Sequence, residues 1–475
     1  MNLSKHVLFL SLILYIHSAI TLGIGIPVKA DLPMLKVPDD YLTIQEAINN
    51  ARSGEIIFVR KGTYVENIII NKSITLAGED QEGTIIDGGA KGNVILIKAS
   101  NVTVKGFTIR NSDPIIGCGV SVERFGNITI RNNIIKDNNI GIQISSSSRN
   151  QIYENVISSN YIGIQLFYSS INVICRNFIS NNTDGIDVFY YSISNIFYEN
   201  VIYRNTWGVY LSFFSNNNVF YHNNFMKNVY DVHVEQTVNT WCYNNEGNYW
   251  DSYEGKDSDK NGIGDTQYVI AGKNIDYYPL MGRYYTFTAH FKGKDYRITI
   301  ISNSTISNFA FKVLTEFRTR VILFNVSCTY SPAGFCKIVI PKILMENIHA
   351  VLLNEEEVNA TLIDTPDAEN SCLFIEYLGN CSIKIVYLEL LDLYYQLLDK
   401  IHNLNNTNDM LVKEINTLNE TLNNLIINWN DFQELFLKMN SLYQIQTQNL
   451  RNLAYVFALA TAIFIIVTVY LSYQK

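Results

Sequence analysis

Between residues 101 and 245 apolar positions recur with period two in short bursts, each broken by Asn, Gly or Ser. Such bursts are too short for helices and read as strands. The bursts themselves repeat. "NITIRNNIIKDNNIGIQI" from Asn127 aligns with "NQIYENVISSNYIGIQL" from Asn150. Three more copies open at Asn172, Asn195 and Asn218, so the opening asparagines lie 22 or 23 residues apart, and a looser copy starts at Asn101. Residues two and seven places after the opening Asn are apolar: Ile152 and Ile157, Ile174 and Ile179, Phe197 and Ile202, Phe220 and Phe225. Thr129, beside Ile134, is the exception. Stacked coil on coil, these positions predict a continuous interior column, with Asn132, Asn155, Asn177, Asn200 and Asn223 aligned at one corner. A repeat of this length with several strands and no helical period is a parallel β-helix.

The pattern changes outside the repeats. "LTIQEAINNARSGEIIFVRKGTYVENIIINKSITLAGE" predicts a cap: an amphipathic helix from Ile44 to Ala51 whose Ile44, Ala47 and Ile48 cover the first coil. Strands Ile56–Val59, Ile68–Ile70 and Ile74–Leu76 follow. From 284 to 386 longer alternating runs predict an antiparallel β domain, sandwich-like, of about seven strands. From Leu397 through Ile401, Asn408, Leu418, Leu425 and Trp429 to Tyr443, seam positions step by four and three over six heptads. This predicts a coiled-coil stalk over 387–450 with a polar residue, Asn408, at an a position. A helical hairpin broken near Asn403–Asp409 is the alternative. Residues 1–30, with Lys5 and His6 before an apolar run, read as a secretory signal peptide, an uncleaved anchor being the alternative. Leu453–Leu471 is uncharged and long enough to span a bilayer, with the body of the chain outside. The organisation expected is thus cap and first coils 31–100, repeats 101–245, closing segment 246–283, β domain 284–386, stalk 387–450 and membrane helix 453–471.

The cap, the Asn-punctuated coils and "GNYWDSYEGKDSDKNGIGDTQYVIAGKNIDYYPLM" resemble the NosD-type right-handed parallel β-helix proteins, over roughly Leu35 to Met281. The resemblance implies a pectin-lyase-like fold, membership of a class of carbohydrate-binding and sugar-hydrolase β-helices, and a periplasmic copper-binding label. Copper needs clustered Cys, Met or His ligands. The repeats offer only His222 and His233, eleven residues apart, so copper is not expected. "NTDGID" resembles a polygalacturonase motif and makes Asp184 and Asp187 candidate catalytic carboxylates. The paired aspartate and the Gly-His-Gly that should follow are missing, and Asp184 is expected in the turn before the strand.

A binding face has more support. The outward position of each coil's last strand gives the row Ser121, Gln143, Gln165, Asp187, Tyr210 and His233. A second outward row holds Tyr153, Cys175, Tyr198 and Tyr221, and Phe189-Tyr190-Tyr191 and Phe213-Phe214 add turn aromatics. Rings beside amides and carboxylates suit sugar rings, so a polysaccharide or surface glycoprotein is the expected partner. A purely structural spacer is the bland alternative.

Charge and cysteine content refine this. The net charge is −8 and no basic cluster occurs, which excludes a nucleic-acid partner. Many sequons, including those at Asn71, Asn101, Asn127, Asn181, Asn303, Asn325, Asn359, Asn380 and Asn419, are candidate glycosylation sites. Cys328/Cys336 and Cys372/Cys381 each flank an expected hairpin, so cross-hairpin bridges and buried thiols are both open. "DSDKNGIGD" places oxygen ligands with EF-hand spacing: Asp257, Asp259, Asn261, the Ile263 carbonyl and Asp265 are candidate ligands for a structural Ca2+. The twelfth position is Tyr268, not Glu, unless Asp251 or Asp276 contributes; a metal-free acidic turn is the alternative. The sequence therefore predicts a membrane-anchored surface protein that binds polysaccharide, with a ligand-free adhesive component or a polysaccharide-active enzyme as alternatives, and a homo-oligomer through the coiled coil.

Overall fold

The computed structural model describes residues 34–314, 319–328, 332–363, 369–389, 394–395 and 411–443. The expected signal peptide, the membrane segment 453–471 and the stalk residues 397–410 lie outside these. Among the described residues no helix is long and apolar enough to cross a membrane. The chain divides into two compact units: 34–252 with 268–277, and 253–267 with the described residues from 278 onward.

The first unit is a right-handed parallel β-solenoid, the hand that parallel crossovers take. Each coil contributes one strand to each of three parallel sheets, here A, B and C, of nine, nine and eight strands. Interior columns follow the pleat. Ile130, Ile152, Ile174, Phe197 and Phe220 of sheet A and Ile135, Ile157, Ile179, Ile202 and Phe225 of sheet B are all fully buried. Each such side chain contributes roughly 2 kcal/mol of apolar burial. Tryptophans finish the columns: Trp241 stacks on Phe220 at 4.5 Å and Trp250 on Phe225 at 4.2 Å.

One coil corrects the sequence alignment. Arg131 pairs with Tyr153 and Ile130 with Ile152, so the copy opening at Asn127 is offset by one residue. Ile130 and Ile135 therefore fill the interior, not Thr129 and Ile134, and Asn133 takes the corner in place of the exposed Asn132. A one-residue slip moves every side chain of a strand to the other face, so only this register buries the isoleucines.

Three buried asparagine ladders hold the corners. Asn133, Asn155, Asn177, Asn200 and Asn223 each pass an amide hydrogen bond to the next coil at 2.9–3.1 Å, the last of them to Asn248. The series from Asn138 to Asn228 and from Asn150 to Asn239 do the same. Most of these amides also donate to a main-chain carbonyl, as Asn177 does to Ile152, whereas Asn150 donates to the Ser147 hydroxyl. The column of glycines at the second position of the sheet C strands is set by the same stacking. A Cβ at Gly163 or Gly208 would lie 2.4 or 2.5 Å from the carbonyl oxygen of the following coil. Asp231, at the equivalent place in the last coil, carries a side chain and receives the ladder's final bond from Asn228 at 3.0 Å.

At the other end helix α1, Ile44–Asn50, buries Ile44, Ala47 and Ile48 completely, as the pattern predicts. Thr43 caps it by accepting from the Glu46 N–H, and the Glu66 carboxylate accepts from Ile44 and Gln45. Lys72 donates to the terminal carbonyls of Ile48, Asn49 and Ala51, where a cation complements the helix end.

The second unit contains two five-stranded antiparallel sheets. One orders Arg283–Phe291, Lys294–Ser302, Ala333–Pro341, Asn370–Leu378 and Thr361–Ile363. The other orders Thr305–Leu314, Thr319–Ser327, Cys381–Leu388, Ala350–Leu353 and Glu356–Val358. These ten strands exceed the seven expected, because three pieces of three or four residues show no readable alternation. Ile298, Ile300 and Ile338 of the first sheet share one core with Ile322, Phe324, Ile383 and Ile385 of the second. The expected cysteine hairpins are crossings between sheets: the strand before Cys328 and the strand holding Cys336 belong to different sheets, as do those of Cys372 and Cys381. None of the seven cysteines is joined in a disulfide. Helix α2 runs Leu411–Tyr443. Leu418, Leu422, Leu425, Trp429 and Phe432 form its less exposed face, while Glu420, Asn423 and Asn424 are exposed.

Candidate functional site

Sheet C has the longest solenoid strands, up to six residues, and its outer surface gathers most of the candidates. The predicted row is in strict register: Ser121, Gln143, Gln165, Asp187, Tyr210 and His233 stand opposite one another on successive strands. Its first part is a hydrogen-bonded chain. Gln143 Nε2 donates to Gln165 Oε1 at 2.8 Å, and Gln165 Nε2 donates to Asp187 Oδ2 at 3.1 Å. Its second part is aromatic, with Tyr210 stacked on His233 at 4.3 Å.

A parallel row, three residues earlier on each strand, escaped the sequence reading: Cys118, Ile140, Ile162, Asp184, Trp207 and Tyr230. Its signal was available, since these residues immediately precede the repeat glycine or its substitute Asp231. Asp184 is thus the first residue of a strand, not part of the preceding turn. Trp207 stacks on Tyr230 at 4.2 Å and meets Tyr210 and His233 edge-on at 6.1 and 5.2 Å. The four rings make an aromatic end to a polar floor. Phe167 and Phe189, at 5.0 Å, border the floor from the other ends of their strands. The turn aromatics beyond them stack along the solenoid, Tyr190 on Phe213 at 4.6 Å and Tyr191 on Phe214 at 5.5 Å.

The carboxylates are electrostatically unusual. Burial pushes Asp187 up to about 7, with the charge of nearby Asp184 acting the same way and the Gln165 hydrogen bond opposing. Burial also raises Asp184, partly offset by His233. Asp187, only 9% exposed, and the half-buried Asp184 thus pair two carboxyls of raised proton affinity, a combination suited to proton transfer near neutral pH.

The tyrosine row lies elsewhere. Tyr153, Cys175, Tyr198 and Tyr221 align on sheet A, a different face of the solenoid. Tyr198 stacks on Tyr221 at 5.2 Å, and the guanidinium groups of Arg131 and Arg176 lie over Tyr153. This row and the sheet C row do not form one site.

The two repeat histidines lie at different sheets. His222 follows a sheet A strand and bonds Glu246 at 2.9 Å, whereas His233 is on sheet C among aromatic rings. Among the described residues, the one group of three or more His, Cys, Asp or Glu side chains with ligand atoms within 4.8 Å is Asp257, Asp259 and Asp265. That donor set is hard oxygen, suited to calcium rather than copper. The loop is folded by its own side chains: Asp257 accepts from the Asn261 and Gly262 N–H groups, Asp265 from Ser258, and Asn261 from the Ile263 N–H. Burial, with Asp259 adding to it, raises Asp257 despite those amides. The loop groups with the second unit, where Lys260 pairs with Glu376 at 2.7 Å, so the closing segment expected over 246–283 is divided. Asp276 and Asp251 are committed to other partners, Asp276 to Asn248 and Trp250 and Asp251 to the Lys227 N–H.

A parallel β-solenoid with an elongated amide, carboxylate and aromatic face is the class that these features define. Residues 48–255 match the family described as periplasmic copper-binding protein (NosD). A cell surface glycoprotein of Methanothermus fervidus is 35% identical over 116 residues, 24% of this chain and 18% of that relative's length. Similar solved structures include an alginate lyase from Paenibacillus sp. str. FPU-7, at 14% identity and TM-score 0.33, covering 43% of this chain and 94% of that one. Pectate lyase Pel9A, at 16% identity and TM-score 0.34, covers 43% and 68%.

Proposed function

We propose that the outer face of sheet C binds a polysaccharide at a cell surface. The observation that carries this is the unbroken floor from Gln143 through Gln165 to Asp187, which ends in the rings of Trp207, Tyr210, Tyr230 and His233. Amides and carboxylates exchange hydrogen bonds with sugar hydroxyls, while ring faces cover the apolar faces of the sugar. The surface location draws on the resemblance to a cell surface glycoprotein, together with the leader and apolar tail legible in the sequence. In this reading the two-sheet domain is a sandwich-like neck, the heptad helix an oligomeric stalk, and the acidic loop a calcium clasp that stiffens the neck. Affinity electrophoresis of the purified protein against a panel of polysaccharides tests the binding. Retardation by at least one polymer, lost in Trp207→Ala and Gln165→Ala, is expected; no retardation by any polymer removes the reading and leaves a ligand-free adhesive component.

The proton affinity of Asp187 beside Asp184 favours a second reading, a polysaccharide-cleaving enzyme. New reducing ends released from a retained polymer, abolished by Asp187→Asn, would establish it. Retention without cleavage leaves a binding module.

A further inference from the structure

We propose that this face selects an uncharged glycan and rejects polyuronate and sulfated chains, an assignment that rests on the polysaccharide-binding reading. The strands Ile140–Ser145, Ile162–Phe167, Asp184–Phe189, Trp207–Leu211 and Tyr230–Val234 contain no lysine or arginine. Their outward rows carry Asp184 and Asp187, and Glu235 follows the last strand. All three negative groups act on Tyr210, which places them around one spot. Of the cations in the flanking turns, Arg204 and Lys227 lie over the ring of Tyr203, a sheet B residue, at 5.0 and 6.0 Å.

Recognition of a carboxylate or sulfate calls for a guanidinium fork or an ammonium placed at the anion. Here an anionic sugar would meet acceptor-only carboxylates of its own sign, in a partly desolvated site where like charges are poorly screened. A neutral sugar meets no such barrier. Its hydroxyls can donate to Asp187 and both donate to and accept from the glutamine amides. The aromatic end requires no charge at all. The discrimination is therefore built by exclusion as much as by attraction.

The test is affinity electrophoresis of the full-length protein, with chelator present so that no divalent ion bridges carboxylates, and at a pH above the titration of Asp187. Neutral glucan, mannan and xylan are compared with polygalacturonate, alginate and the cationic polymer diethylaminoethyl-dextran. Retention by at least one neutral polymer, at least roughly tenfold stronger than by either polyuronate, is expected. In the Asp184→Asn/Asp187→Asn protein that ratio falls, because uronate retention rises. Polyuronate binding equal to or stronger than neutral binding overturns the class assignment while leaving glycan binding in place, and so does retention by diethylaminoethyl-dextran alone. No retention by any polymer overturns both.

Discussion

Asn177 is the place to test whether the amide ladders hold the solenoid together. The residue is 1% exposed. Its Oδ1 accepts from both the main-chain N–H and the Nδ2 of Asn155, at 3.1 and 3.0 Å. Its Nδ2 donates to the Ile152 carbonyl at 2.9 Å and to Asn200 Oδ1 at 3.0 Å. Asn177→Ala deprives the Asn155 N–H of its side-chain acceptor inside the coil, a penalty of about 1–3 kcal/mol, and removes further bonds worth about 1 kcal/mol each. The expected loss is about 3–5 kcal/mol by urea unfolding. Asn177→Asp adds a sharper test. The carboxylate still accepts from Asn155, but its second oxygen now faces the Ile152 carbonyl and Asn200 Oδ1, both acceptors. The folded state therefore favours the protonated acid, which raises the folded pKa above the unfolded value. The variant should be less stable than Asn177→Ala at neutral pH and recover as pH falls through that raised pKa. Asn132→Gly, at an exposed position with φ 52°, serves as control and should change stability by less than about 0.5 kcal/mol. An Asn177→Ala protein indistinguishable from this control would refute the ladder argument.

Ile171 holds φ 61° while 56% exposed, a conformation that burdens a β-branched residue. Ile171→Asn, which copies Asn217 two coils on, should stabilise by about 1 kcal/mol, read as a raised melting temperature. Because burial raises Asp187 from 3.8 to about 7, its favourable contribution is complete below about pH 4 and is lost as pH rises toward 7. Asp187→Asn should flatten the decline in stability across that window, an effect of at most about 4 kcal/mol, and an unaltered pH profile would count against the buried carboxyl. If the acidic loop takes calcium, adding the ion raises the melting temperature and Asp257→Asn cancels the rise; equal melting with and without calcium leaves only a metal-free turn.

Much of this fold was legible because a solenoid repeats one local solution. Spacings of 22 or 23 residues, alternating apolar positions and recurrent asparagines carry enough redundancy to identify coils and the outward row from Ser121 to His233. The cap helix was legible for a similar reason, since Ile44, Ala47 and Ile48 share one helical face. The acidic loop showed its ligand spacing, and the three carboxylates do gather.

What the sequence alone determined is the periodic part, where each coil meets a copy of itself and pattern equals environment. Tertiary structure decided what depends on neighbours outside the repeat. It chose Asn133 over Asn132, because only that register buries Ile130 and Ile135. It set the tyrosine row on sheet A and brought Asp184, Trp207 and Tyr230 beside Asp187, Tyr210 and His233 on the strands of sheet C. It sent the cysteine-flanked corners between two sheets rather than through hairpins. Period and composition specify which residues alternate, but the direction in which a side chain finally points is set by the chain packed against it.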